Sequence, residues 1–217
     1  MAKDGQEGLT IDLDQVVATK FKGKKLPPFV MRFLKRFIHQ DWINENMKFC
    51  RDGEGFYEDA LKRLDVRIEV EGKERVPQDG TRYIFVSNHP LGGNDGLALT
   101  DFVQKNYGHT RLLVNDFLMN FKAVRPQSVA VNKTGSQSRD ILQQLDEAYQ
   151  SSDQMMIFPA GLCSRRIKGK VQDLPWTKTF ITKSVESGRT VVPVHFIGEN
   201  PARFYRFAGE ARTRIGE

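Results

Sequence analysis

The sequence predicts an α/β fold: a mixed, largely parallel central sheet flanked by helices, with a basic amphipathic helix ahead of it. Three observations predict this. Short β-branched or aromatic runs alternate with segments of helical spacing. The 217 residues suffice for one ordinary domain with a small appendage and a substantial core. No internal repeat or low-complexity tract interrupts the pattern, and 39% apolar with 28% charged residues excludes wholesale disorder or a collagen-like chain.

Taken in order, residues 1–26 read as a flexible arm, because they are polar, carry Gly23 and lack a sustained period. Pro27 and Pro28 punctuate the chain and open a second unit, residues 27–50. Within it Phe29, Val30, Phe33, Leu34, Phe37, Ile38 and Trp42 recur at helical spacing to about Asn46, with Arg32, Lys35 and Arg36 on the other side. Such a helix either docks on the core or lies against anionic lipid, and one face can be shared between the two. Residues 51–217 form the main domain. There Val66 to Val70, Tyr83 to Ser87, Leu112 to Val114, Met155 to Phe158 and Val191 to Phe196 read as strands. Gly96 to Lys105, Gln137 to Tyr149 and Thr177 to Ser187 read as helices, and Phe117 to Phe121 as a shorter apolar turn.

Charge narrows the partners. The formal net charge is +6. From Gln15 to Gln40 there is no Asp or Glu, while Lys20, Lys22, Lys24, Lys25, Arg32, Lys35 and Arg36 all fall there. An anionic membrane surface or an acidic carrier suits this distribution. Nucleic acid is not expected, since no helix-turn-helix, RNP pattern or zinc finger sets the charge against bases. Two cysteines, Cys50 and Cys163, are too few for a disulfide framework, and the polar opening Met1 to Asp14 is not a signal peptide, so a reducing cytosolic setting is expected. No stretch approaches the roughly 20 apolar residues of a spanning helix, which leaves surface attachment open. No metal site is expected from four scattered histidines, His39, His89, His109 and His195. Walker, GxGxxG and GxSxG patterns are all missing.

Two segments carry chemistry. Ser87-Asn88-His89-Pro90-Leu91-Gly92-Gly93-Asn94-Asp95-Gly96 lies where a strand ends and a helix begins, a favoured place for active sites. A neutral imidazole can take a proton from a hydroxyl, and a nearby carboxylate can fix its tautomer. His89 and Asp95 fit that pairing across a tight Pro-Gly-Gly turn. Equally, Asp95 fits a helix cap and His89 an ordinary loop histidine. Phe158-Pro159-Ala160-Gly161-Leu162-Cys163-Ser164-Arg165-Arg166 follows another strand, and glycine before paired arginines suits phosphate, although a solvated basic loop fits as well. Cys163 reads as a small, half-buried residue without a local activating partner.

Together these segments, with Val192-Pro193-Val194, resemble the glycerolipid acyltransferase superfamily. The likeness is to its lysophosphatidate-acyltransferase-like branch, which includes ornithine- and glycine-lipid O-acyltransferases and hemolysin-type proteins. Five residues separate His89 from Asp95 where the superfamily's usual block has four, and His89 to Gly96 fits the branch's His-Pro-x-Gly-x-x-Asp-Gly variant. Asn115 to Arg125, with Phe117, Phe121 and Arg125, resembles the second block. The third block's Phe-Pro-Glu-Gly is Phe158-Pro159-Ala160-Gly161 here, with Leu162 where branch members often carry Glu. The likeness runs from about Tyr83 to Phe196, and chains of the branch usually continue beyond the length seen here, so an incomplete C-terminus is expected.

The resemblance implies transfer of a fatty acyl group from acyl-ACP or acyl-CoA to the hydroxyl of a lysolipid, either lysophosphatidate or an N-acyl amino acid lipid. The enzyme would be peripheral, on the cytoplasmic face of a bacterial inner membrane, and would need no bound cofactor. It further implies His89 as general base, Asp95 as its orienting carboxylate, and Gly92, Gly93, Arg125, Gly161, Ser164, Arg165 and Arg166 as substrate-binding residues. A non-catalytic peripheral module that binds anionic lipid is the competing expectation.

Overall fold

The computed structural model describes residues 11–20, 26–115, 118–120, 123–131 and 138–206. Its centre is a five-stranded sheet in the order β3-β2-β4-β1-β7, built from β1 (Tyr83–Ser87), β2 (Thr110–Asn115), β3 (Ser128–Val131), β4 (Gln154–Ile157) and β7 (Thr190–Val194). Every neighbouring pair is parallel. A separate antiparallel hairpin pairs β5 (Arg165–Ile167) with β6 (Lys170–Gln172). Parallel strands need crossovers, and helices α5 (Gly93–Tyr107), α6 (Arg139–Gln150) and α7 (Thr179–Ser187) lie in those crossovers, covering the two faces.

Strand alternation sorts the core. Tyr83 and Phe85 of β1 face one layer, where they meet Leu99 and Val103 of α5 together with Leu112, Val114 and Met156. Ile84 and Val86 face the other, with Ala148 and Tyr149 of α6, Val129, Met155 and Ile157. β1 is buried along its whole length, as its unbroken apolar run requires of a central parallel strand. The Arg189 guanidinium is buried at the opposite end of the sheet from Ser87. It donates to the carbonyls of Tyr83, Ala148, Tyr149, Ser151 and Asp153, tying α6, β1 and β4 together.

Four short helices precede the sheet: α1 (Leu13–Lys20), α2 (Pro28–Phe37), α3 (Gln40–Met47) and α4 (Gly55–Arg63). Three expectations are corrected here. Residues 13–20, expected within a flexible arm, are helical, and Leu13 and Val17 are buried with Met31 of α2. The single helix expected from Phe29 to Asn46 is two, because His39 takes a left-handed conformation, φ 54° and ψ 42°. That turn places Gln40 where its side chain accepts from the Leu13 amide at 3.1 Å, and Asn44 where it bonds both the amide and the carbonyl of Ile11 at 2.7 and 2.8 Å. Residues 66–70, expected as a strand, belong to no helix or strand, with Ile68 and Val70 exposed.

Several helices and strands run to different bounds than expected. The helix expected over Gln137 to Tyr149 starts at Arg139, with Ser138 as its cap, and Gln137 lies outside the described residues. So do Phe117 and Phe121, the ends of the expected apolar turn, and residues 1–10, 21–25 and 207–217.

Candidate active site

His89, Asp95, Cys163 and Phe158 converge at the C-terminal edge of the sheet, just past the ends of β1 and β4. The loop carrying His89 is held from three sides. The Asn88 side chain continues the β1–β7 pairing, donating to the Phe196 carbonyl at 2.9 Å and accepting from the Phe196 amide at 2.7 Å. The Asn200 side chain donates to the Pro90 carbonyl at 2.7 Å. From the third side, the Ser164 amide donates to the His89 carbonyl at 2.8 Å, and the His89 amide donates to the Asp173 carboxylate at 3.2 Å. The same carboxylate accepts from the Ser164 hydroxyl and, at 2.9 Å, from the Trp176 indole.

At the end of this loop Gly92 takes φ +73°, a conformation that glycine adopts without the penalty a side chain incurs, and α5 begins. Asp95 is wholly buried in its first turn. One of its oxygens, Oδ2, lies 3.1 Å from His89 Nδ1 and also accepts from the amides of Leu91 at 2.8 Å and Gly92 at 3.0 Å. The two sequence readings of Asp95 thus hold together: the helix cap is also the partner of the imidazole. With Nδ1 committed to the carboxylate, Nε2 is the nitrogen left to exchange a proton with something else. The ring itself stacks on Phe158, centroids 4.2 Å apart.

Cys163 sits beside this ring, close enough to hydrogen-bond it. Its sulfur packs against Gly92 so closely that a Cβ there would stand 3.0 Å from Sγ. Burial works against a charged ring, but the bonds to Asp95 and Cys163 and the charges of both outweigh it, pushing His89 from 6.5 to about 9. Burial likewise tends to raise the thiol. The bond to His89, with the positive charges of His89 and Arg165, more than offsets that and holds Cys163 below its ordinary value.

The remaining sequence candidates divide by location. Gly92 is buried at the turn, Gly93 is exposed at the first position of α5, and Gly161 closes a turn with φ +66°, its amide donating to the Phe158 carbonyl at 2.9 Å. Ser164 is buried and spent on fixing the loops. Arg165 donates to the carbonyls of Cys163 and Ser164 and lies over the Phe204 ring, whereas Arg166 lies over Tyr205, 5.3 Å from its centroid. Arg125 is not brought to this cluster. It precedes β3, whose first residue Ser128 pairs with Leu112, so it stands toward the N-terminal edge of a parallel sheet, away from His89.

Sequence reasoning passed over Asp173 and Trp176, which have no local signature, and set Cys163 aside for want of a partner that lies 74 positions earlier in the chain. Among the described residues, no group of three or more His, Cys, Asp or Glu is arranged to hold a metal ion, and no helix is long and apolar enough to cross a membrane.

The profile of the family described as Acyltransferase matches residues 15–216. A lyso-glycine lipid O-acyltransferase of Bacteroides thetaiotaomicron is 47% identical over 208 residues, an overlap that covers 94% of this chain and 76% of the relative. A protein of the same name from Phocaeicola vulgatus is 45% identical over 203 residues, covering 91% of this chain and 72% of that relative.

Proposed function

The chain belongs to the acyltransferase family, and we propose that it transfers a fatty acyl group from a thioester, acyl-ACP or acyl-CoA, to the hydroxyl of a lysolipid. The relatives' name points to a lyso-glycine lipid as the first acceptor to try, with lysophosphatidate as the second. The observation that carries this reading is the His89–Asp95 pair at a strand end, a half-buried ring whose Nδ1 is held by a wholly buried carboxylate.

In its neutral form His89 takes the acceptor's proton while Asp95 holds the ring in the tautomer that presents Nε2. The oxygen then attacks the thioester carbonyl, and negative charge develops on the carbonyl oxygen. The first amides of α5, Gly93 and Asn94, have no acceptor within their own helix and stand beside Gly92, where they can donate to that oxyanion. Collapse of the tetrahedral species expels the donor thiolate, which recovers a proton from the imidazolium. Arg165 and Arg166 provide the positive flank for an acceptor head group or for the donor's phosphopantetheine.

For a lipid acceptor the enzyme has to reach a surface. Along α2 and α3, Phe29, Phe33 and Trp42 are exposed, at 74%, 52% and 51%, while Met31 of the same helix is buried. The groove between α1, α2 and α3 is lined by Arg32, Lys35 and Arg36. Exposed aromatics beside cations suit peripheral binding to the anionic cytoplasmic leaflet of an inner membrane.

The test is direct. Purified protein is incubated with acyl-CoA or acyl-ACP and a panel of lysolipids that includes lyso-glycine lipid and lysophosphatidate, and products are identified by mass spectrometry. His89→Ala should lower transfer by about 10²- to 10⁴-fold and leave liposome binding intact. Absence of any transfer by the unaltered protein across the panel would remove the reading and favour a lipid-binding module.

A further inference from the structure

We propose that Asp173 is a positioning residue for the transfer: it sets where the His89 ring stands relative to the β5–β6 hairpin that carries Arg165 and Arg166. This rests on the reading above, in which His89 is the base, and Asp173 acts through that ring rather than on the acceptor. Its basis is a closed cycle of hydrogen bonds. The His89 amide donates to Asp173 Oδ1 at 3.2 Å, the Ser164 hydroxyl donates to the same oxygen, and the Ser164 amide donates to the His89 carbonyl at 2.8 Å. Both main-chain groups of His89 are thus taken up by the residues that flank the hairpin, Ser164 just before β5 and Asp173 just after β6.

Where these bonds come from is what gives them consequence. Asp95 fixes the ring at Nδ1, but it lies only six positions along the same turn, so base and partner can shift together. Holding the pair against the arginines requires a bond from outside the turn, and Asp173 supplies one across 84 positions. The segment that follows braces the ring a second way. Thr177 donates from its amide and its hydroxyl to the Pro159 carbonyl, at 3.2 and 3.3 Å. Pro159 adjoins Phe158, on whose ring His89 stacks. Residues 173–177 therefore hold both the main chain of the base and the aromatic face it rests on.

A carboxylate suits the task because it only accepts. Oδ1 takes the His89 amide and the Ser164 hydroxyl, and Oδ2 takes the Trp176 indole at 2.9 Å. Asparagine keeps an oxygen for the first two but sets an NH2 group against the indole N–H, a conflict that Trp176→Phe removes. Loss of the carboxylate frees the base to drift, and a misplacement of about 1 Å costs on the order of 10²-fold in rate.

The experiment compares the full chain with Asp173→Ala, Asp173→Asn, and Asp173→Asn combined with Trp176→Phe. Transfer from palmitoyl-CoA to lyso-glycine lipid is measured per folded molecule. Asp173→Ala should lower kcat by about 10- to 100-fold with KM for both substrates within about threefold of wild type. Asp173→Asn should fall between, and adding Trp176→Phe should recover most of the loss. A second readout needs no substrate: the ring-nitrogen NMR signals of His89, assigned by their loss in His89→Ala. They should be displaced in Asp173→Ala and return in the double variant, while those of His39 and His109 stay put.

A merely structural Asp173 would lower the melting temperature and the folded fraction yet leave kcat per folded molecule and the His89 signals at wild-type values, and that result would overturn the proposal. Should Asp173→Ala fail to fold, the asparagine variants decide: no loss in Asp173→Asn, or no recovery on adding Trp176→Phe, overturns it. Displaced His89 signals that return in the double variant support it even where the wild type acylates no lyso-glycine lipid, a failure that falls on the choice of acceptor alone.

Discussion

A single carboxylate oxygen of Asp95 meets the amides of Leu91 and Gly92 and the Nδ1 of His89, so replacing it separates two duties. Asp95→Asn keeps an oxygen for the amides but removes the charge that opposes the ring, and acyl transfer should fall by on the order of 10²- to 10⁴-fold. The same variant has a readout in stability. Because His89 is held above 6.5, near 9, its contribution to folding is complete below 6.5 and is lost as pH rises through about 9. The urea midpoint of the wild type should therefore decline over that window, and that of Asp95→Asn should decline less. This pair was legible in the sequence because six positions and a Pro-Gly-Gly turn bring the groups together locally. Asp173 was not, since it reaches the His89 amide across 84 positions and nothing in its own neighbourhood announces it.

Local chemistry also decides the elements. The Ser138 hydroxyl accepts from the Ile141 amide at 3.3 Å at the start of α6, so Ser138→Ala should cost about 1 kcal/mol, seen as a lower urea midpoint at unchanged slope. β1, β2, β4 and β7 could be read from short apolar runs, of which the fold buries β1 and β4 along their whole length. β3 could not, because Ser128-Val129-Ala130-Val131 is four residues of mixed propensity at a sheet edge. The β5–β6 hairpin is built from charged residues, and its one signal is the two-residue turn of Lys168 and Gly169, both at positive φ. Helix α4 hides behind its charges, yet Phe56, Tyr57, Ala60 and Leu61 form one buried stripe. The break at His39 was invisible because its cause, the docking of Gln40 and Asn44 onto residues 11–13, is tertiary.

Over the whole molecule, the helical layer ahead of the sheet is wired into the site. α3 packs on α4 and α4 on α5, whose first turn holds Asp95. Ile43, Met47, Phe56, Tyr57, Ala60 and Leu97 share one cluster along that route. Removing the entire layer should therefore unfold the protein, whereas surface changes test membrane contact cleanly. Phe29→Ser with Phe33→Ser should weaken sedimentation with anionic liposomes several-fold, by loss of apolar insertion, and leave the melting temperature within a few degrees of wild type. Added salt should weaken the wild type further if Arg32, Lys35 and Arg36 contribute. The parallel order of the sheet carries a consequence for biosynthesis. β1 waits for β7, and 106 positions separate Tyr83 from the Arg189 that seals this end. At ribosomal speed that is a delay on the order of ten seconds, during which β1 lacks its β7 neighbour and the nascent polypeptide presents one open strand edge, a natural client for a chaperone.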